Sequence, residues 1–240
     1  MSGHPHLFEV SRPWFTSMRE EQVELAFIIA DLCGYSALTE AHGGLGAAKA
    51  ATRYVEIALS VLRPGARFVE RAGDQVLVAG EGATACVETA VALRDAVEGE
   101  PLFPTVRIGL HAGAVVEQGG SYFGSALNVT ARVAAHARGG QILCTERVQA
   151  AAAGLNGVAY EPLGPVVFKN ISEPVLLFEI LSGSQRSAAA VVDPVCRMQV
   201  RPETAPARLP YAGVTYHFCS FDCAQRFAVR PERYVLPQSL

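Results

Sequence analysis

Unbroken apolar runs alternate along this chain with stretches in which apolar residues recur at helical spacing, and that alternation predicts most of its elements. "LAFIIA", residues 25–30, reads as a buried strand that runs directly into Asp31. From about Ala47 to Leu62, the positions Ala51, Tyr54, Ala58, Val61 and Leu62 predict a helix. "ARFVERAGDQVLVAG", residues 66–80, reads as two short strands turned at Ala72-Gly73-Asp74. A helix over "ATACVETAVALRDAV", a strand in "TVRIGLHAG" and a helix over "GSALNVTARVAAHA" follow. "GGQILCTE", "GVAY" and "EPVLLFEI" add further short strands. The order β-α-α-β-β-α-β-α-β predicts an elaborated ferredoxin-like α+β domain.

The pattern fades at both ends of this domain. Residues 1–22 read as a lead-in, the α+β domain spans 23–181, and the small and polar residues of "SGSQRSAAAVV" at 182–192 read as a linker. Residues 193–237 form a short cysteine-bearing module.

Composition narrows the choice of partner. Half of the 240 residues are hydrophobic and 18% are charged, as expected of a folded chain. A net charge of −3 without a run of Lys or Arg argues against nucleic acid or an anionic membrane as the main partner. No segment reaches the roughly 18 apolar residues of a membrane span, and the first residues lack an export pattern, so a soluble, cytoplasmic protein is expected. Cys33, Cys86 and Cys144 are scattered, whereas Cys196, Cys219 and Cys223 gather near the end, which in a reducing compartment suggests metal or redox chemistry.

Two carboxylates stand where apolar strands end. An ionised group there is costly unless paired, hydrogen-bonded or bound to a metal. If the hairpin lies beside the first strand, Asp31 and Asp74 converge at one sheet edge, and together with phosphate oxygens they suit Mg²⁺ or Mn²⁺. Taken singly, Asp31 also reads as a helix cap and Asp74 as a turn residue. Asn128 and Arg132 share one helix face, the second able to grip phosphate bidentately. In the tail, Cys219 and Cys223 share a face near the start of a helix over "SFDCAQRF". With Cys196 they offer three soft ligands for Zn²⁺, Cu⁺ or another soft metal.

These stretches resemble the class III nucleotidyl cyclases. "FIIADLCGYSALTEAHGG", "RAGDQVLVAG", "VRIGLHAGAVV", "SYFGSALNVTARV", "GGQILCTERV" and "FKNISEPVLLFEI" follow the order and spacing of the adenylate and guanylate cyclase domain over about residues 24–181. The resemblance implies that Asp31 and Asp74, with the backbone at Leu32, hold two Mg²⁺ or Mn²⁺ ions. It implies that Asn128 orients the ribose, that Arg132 stabilises charge on the α-phosphate, and that Lys169 touches the phosphates of ATP or GTP. It also implies a homodimer in which the aspartates of one subunit meet the Asn/Arg helix of the other.

The base-reading positions depart from the adenylate cyclase pattern. Glu70 stands where adenylate cyclases typically carry lysine, and Ser121 occupies the second position. Guanine presents donors at N1 and N2 and an acceptor at O6, which suits a carboxylate plus a hydroxyl, so the pair looks more like a guanine reader. Ala114 stands where some relatives have arginine. ATP and GTP both stay open, as does a catalytically degenerate domain that only binds nucleotide or senses metal. The tail, "DPVCRMQV" with "YAGVTYHFCSFDCAQRFAVRPERYV", resembles the YHS domain of the TRASH-like family, a small module associated with metal sensing and trafficking. Asp193, Met198 and His217 are the candidates for a fourth ligand beside Cys196, Cys219 and Cys223. His42, His111 and His136 are assigned no role.

Overall fold

The computed structural model describes residues 22–183 and 190–235. The lead-in up to residue 21 and residues 184–189 of the linker therefore lie outside the described residues.

The N-terminal unit contains strands β1 (Gln22–Leu32), β2 (Ala66–Ala72), β3 (Gln75–Gly80), β4 (Val106–Gln118), β5 (Ser121–Phe123), β6 (Ile142–Thr145), β7 (Val158–Val166) and β8 (Val175–Ser182). Helices α1 (Tyr35–Ser60), α2 (Ala83–Gly99), α3 (Ser125–His136) and α4 (Glu146–Ala151) connect them. The strands form one sheet in the order β2-β3-β1-β4-β6-β8-β7, with β5 paired to β4. Among the described strands only the β4–β6 pairing is parallel. The expected hairpin therefore does lie beside the first strand, and the α+β architecture matches the periodicity.

β1 is buried on both faces, which is why it shows an apolar run in place of alternation. Ala26, Ile28, Ala30 and Leu32 pack under α1 and α2, while Leu25, Phe27 and Ile29 pack with Tyr122, Ala126 and Ala134 around α3. α3 sits very close to the sheet: a Cβ on Gly109 would fall 2.1 Å from the Ala134 nitrogen, so only glycine permits this approach.

α1 starts well before the expected Ala47. Gly34, at φ 77°, turns the chain out of β1, and helix begins at Tyr35. Gly43 (φ 72°, ψ 171°) then breaks α1 into segments 35–42 and 44–60. The early segment is polar on most sides, so hydrophobic spacing carries no sign of it. β5 and α4 are too short for a periodic signal to develop.

The C-terminal unit contains β9 (Val191–Val192), β10 (Gln199–Val200), β11 (Ala207–Tyr211), β12 (Val214–Phe218), α5 (Phe221–Val229) and α6 (Glu232–Val235). Two small hairpins, β9–β10 and β11–β12, pack with α5 around Phe218 and Phe227. This unit docks on the N-terminal one. The Gln199 amide donates to the Phe103 carbonyl at 2.9 Å, Met198 bridges to Pro104, and the Arg226 guanidinium donates to the Glu40 carbonyl at 3.3 Å. None of the described helices is long and apolar enough to cross a membrane.

Candidate active site and metal centre

The end of β1 lies between β3 and β4, so Asp31 faces Gln75 on one side and Arg107 on the other. The β2–β3 turn carries Asp74 to the same edge, where the Leu32 amide donates to the Asp74 carbonyl at 3.3 Å. The Cys33 amide donates to the Thr105 carbonyl at 2.8 Å, which fixes the chain just beyond. The carboxyl groups feel each other. Burial first, and then the charge of Asp31, push the Asp74 carboxyl above the ordinary range.

Arg107 is the residue that sequence reading missed. Its Nε and Nη2 donate to Asp31 Oδ2 at 2.8 and 2.5 Å. The two residues are 76 positions apart and become neighbours only through the antiparallel register, so nothing adjacent in sequence signals the pair. Two carboxylates against one guanidinium leave negative charge at a partly buried edge. That donor set fits a hard divalent cation, which takes carboxylate and carbonyl oxygens.

A carboxyl with a raised folded pKa destabilises the fold when ionised, and the penalty is relieved as pH falls through the folded value. Asp74→Asn removes it, so without divalent metal the variant melts higher than wild type at pH 7, by about 2–4 °C per kcal/mol relieved. Mn²⁺ raises the melting temperature of the wild type. It leaves that of the variant nearly unchanged. Differential scanning fluorimetry with and without Mn²⁺ checks both.

Asn128 and Arg132 are exposed, one turn apart on the outer side of α3. Neither contacts Asp31 or Asp74 among the described residues, so one chain does not bring the two halves together. Glu70 is exposed on β2, next to the register shift between Phe68 and Glu70, and Ser121 is exposed at the start of β5. Lys169 is exposed in the β7–β8 connection, beside Phe168, which packs with Val129 and Val133 of α3. His111 bonds Thr145 Oγ1 at 2.8 Å, and burial pushes its pKa down to about 4, so it is neutral and structural. Cys86 and Cys144 are core thiols that burial pushes up to about 12.

The three tail cysteines do converge. Cys196 Sγ lies 3.4 Å from Cys219 Sγ, which lies 3.6 Å from Cys223 Sγ, and all three thiols are free and buried. Hydrogen bonds from Cys196 and then Cys219 hold the Cys223 thiol well below its ordinary pKa.

None of the three expected candidates supplies the fourth donor. Asp193 is fully buried, and its carboxylate instead accepts from the backbone: Oδ1 from Val195 at 2.8 Å and Cys196 at 3.3 Å, Oδ2 from Cys219 at 2.8 Å. Met198 packs between the cores of the two units. His217 pairs across the hairpin with Arg208. The structure instead brings His42, which sequence reading left without a role, up to the thiols. Its Nε2 is 3.5 Å from Cys219 Sγ and 3.8 Å from Cys223 Sγ. A separation of 177 residues hides it, and so does its place in another unit.

Comparison with known proteins agrees with both units. Residues 191–238 match the YHS domain family. The chain is 30% identical over 171 residues to the pH-sensitive adenylate cyclase MT1302 of Mycobacterium tuberculosis, covering 70% of this chain and 43% of that one. The solved adenylate/guanylate cyclase/hydrolase of Silicibacter pomeroyi superposes with a TM-score of 0.57 at 27% identity, over 68% of this chain and 99% of that one. A copper-transporting P-type ATPase of Rhizobium leguminosarum bv. viciae is 42% identical over 52 residues, 21% of this chain and 6% of that one. The chain spans less than half the length of the curated cyclase relatives it matches. It carries a class III nucleotidyl cyclase domain followed by a YHS domain.

Proposed function

We propose that this chain converts a purine nucleoside triphosphate into its 3′,5′-cyclic monophosphate and pyrophosphate at sites shared by two copies. The observation that carries this reading is the convergence of Asp31 and Asp74 at the end of β1 in a cyclase fold.

In the reaction, the ribose 3′-oxygen attacks the α-phosphorus. The bond from that phosphorus to the bridging oxygen breaks, pyrophosphate leaves, and the hydroxyl proton passes to solvent. Asp31 and Asp74, with the Leu32 backbone, would hold Mg²⁺ or Mn²⁺. When bound, these ions lower the pKa of the 3′-hydroxyl and neutralise the triphosphate. Arg107 keeps the Asp31 carboxylate in a fixed orientation. Asn128 of the partner subunit positions the ribose, its Arg132 meets the charge that grows on the α-phosphate, and Lys169 supports the triphosphate.

Two copies are needed because Asn128 and Arg132 are exposed on the chain that carries them and make no contact with that chain's own aspartates among the described residues. The YHS thiols bind a soft metal and give the chain a metal-dependent regulatory tail.

Glu70 and Ser121 favour guanine. A carboxylate accepts the N1 and N2 donors of guanine, and a mispaired base leaves polar groups unsatisfied, which a binding site discriminates strongly. Glu70→Lys is expected to move the ratio of kcat/KM for GTP over ATP toward ATP by at least about tenfold, a change of about 1.4 kcal/mol. Steady-state release of pyrophosphate from each triphosphate measures it. An unchanged ratio removes Glu70 from base reading.

A further inference from the structure

His42, Cys196, Cys219 and Cys223 bring four ligand atoms within 4.8 Å of one another, and these residues come from both domains. The spacing is that of a coordination shell. Metal bonds of about 2.3 Å to sulfur and about 2.0 Å to nitrogen, set tetrahedrally, separate two sulfurs by about 3.8 Å and sulfur from nitrogen by about 3.6 Å. The neighbouring sulfurs lie 3.4 and 3.6 Å apart, and the imidazole nitrogen lies 3.5 and 3.8 Å from two of them.

The shell is also built from behind. The buried Asp193 carboxylate pins the backbone of Cys196 and of Cys219, and Ser220 Oγ accepts from the Cys223 amide at 3.2 Å. Such outer contacts orient ligands before metal arrives. Three thiols and one imidazole at tetrahedral spacing are the donor set of a closed Zn²⁺ site.

His42 ends the first segment of α1, immediately before the Gly43 break. That segment follows Asp31 and Leu32 after a single turn at Gly34, whose added Cβ would fall 2.5 Å from the Arg197 side chain of the YHS domain. Ala41 packs into the YHS core, and Arg233 pairs with Glu40 at 3.6 Å. The ligand therefore stands on the stretch that leads away from the candidate catalytic edge.

We propose that His42 and the three cysteines form one interdomain Cys₃His site for Zn²⁺, so that bound metal fastens the YHS domain to the first segment of α1. The site goes beyond the cyclase reading and does not depend on turnover.

The test is Co²⁺ titration of the reduced, metal-free full chain, followed by displacement with Zn²⁺. The wild type takes one equivalent, with the visible bands of tetrahedral thiolate-bound Co²⁺. Loss of an outer partner alone costs about 10–100-fold in metal affinity. His42→Ala is therefore expected to weaken Zn²⁺ binding by at least that much and to change the Co²⁺ bands. His42→Cys restores tight binding with the bands of a four-thiolate site, and His217→Ala leaves affinity and bands unaltered. Hydrogen exchange over residues 34–42 slows on adding Zn²⁺ in the wild type and not in His42→Ala. Wild-type affinity and bands in His42→Ala would overturn the proposal. So would exchange over 34–42 that ignores Zn²⁺, or a site that takes Cu⁺ in preference and needs only the three thiols.

Discussion

Asp31→Asn and Arg132→Ala proteins, each nearly silent alone, are expected to recover about a quarter of wild-type cyclic-nucleotide output when mixed in equal amounts. Asp31 sits at the inner end of β1, held by Arg107, whereas Arg132 is exposed on the outer side of α3. If each site takes its carboxylates from one copy and its arginine from the other, a mixed dimer has one intact site and one doubly damaged site. Random exchange makes half of the dimers mixed, and half of their sites are intact. Each variant alone should lose at least about a thousandfold, because removing a ligand or an arginine at the charge-bearing centre forfeits several kcal/mol of transition-state stabilisation. A mixture no more active than its components would show that the residues act within one chain or do not act together.

The second large effect falls on stability. Asp193→Ala should unfold the YHS domain while the cyclase domain stays folded. The Asp193 carboxylate accepts from three backbone amides while fully buried, and the substitution leaves all three donors without a partner. Each orphaned donor costs about 1–3 kcal/mol. A core as small as this one rarely supplies more than about 3–5 kcal/mol. Circular dichroism melts and Co²⁺ titration of the full chain should show the low-temperature transition and the metal site lost together. Asp193→Asn keeps an acceptor for Val195 and Cys196 but turns an amide toward the Cys219 donor, so an intermediate loss is expected.

What the sequence made legible was local. The run into Asp31, the hairpin turn at Asp74, the helix spacing of Asn128 and Arg132 and the grouping of three cysteines are all visible within short windows. The structure sets the aspartates together and the cysteines together. The residues that complete these groups come from far along the chain. Arg107 reaches Asp31 through strand register, and His42 reaches the thiols because one domain docks on another. No short-range pattern encodes either relation. His42 was also masked by its surroundings, since "TEAHGGLG" has little hydrophobic periodicity and the Gly43 break divides the helix there. Asp193 reads as a candidate ligand for a related reason. A buried carboxylate beside cysteines has a ligand's chemistry, and only the positions of the Val195, Cys196 and Cys219 amides show that its oxygens are already engaged.

The most direct measurement is mass-spectrometric detection of cyclic GMP and cyclic AMP after incubating purified protein with GTP and ATP in Mn²⁺, beside an Asp31→Ala control. The expected result is a cyclic product, formed in preference from GTP, that disappears in the control. A folded, dimeric protein that makes neither product, or a product that survives Asp31→Ala, would contradict it.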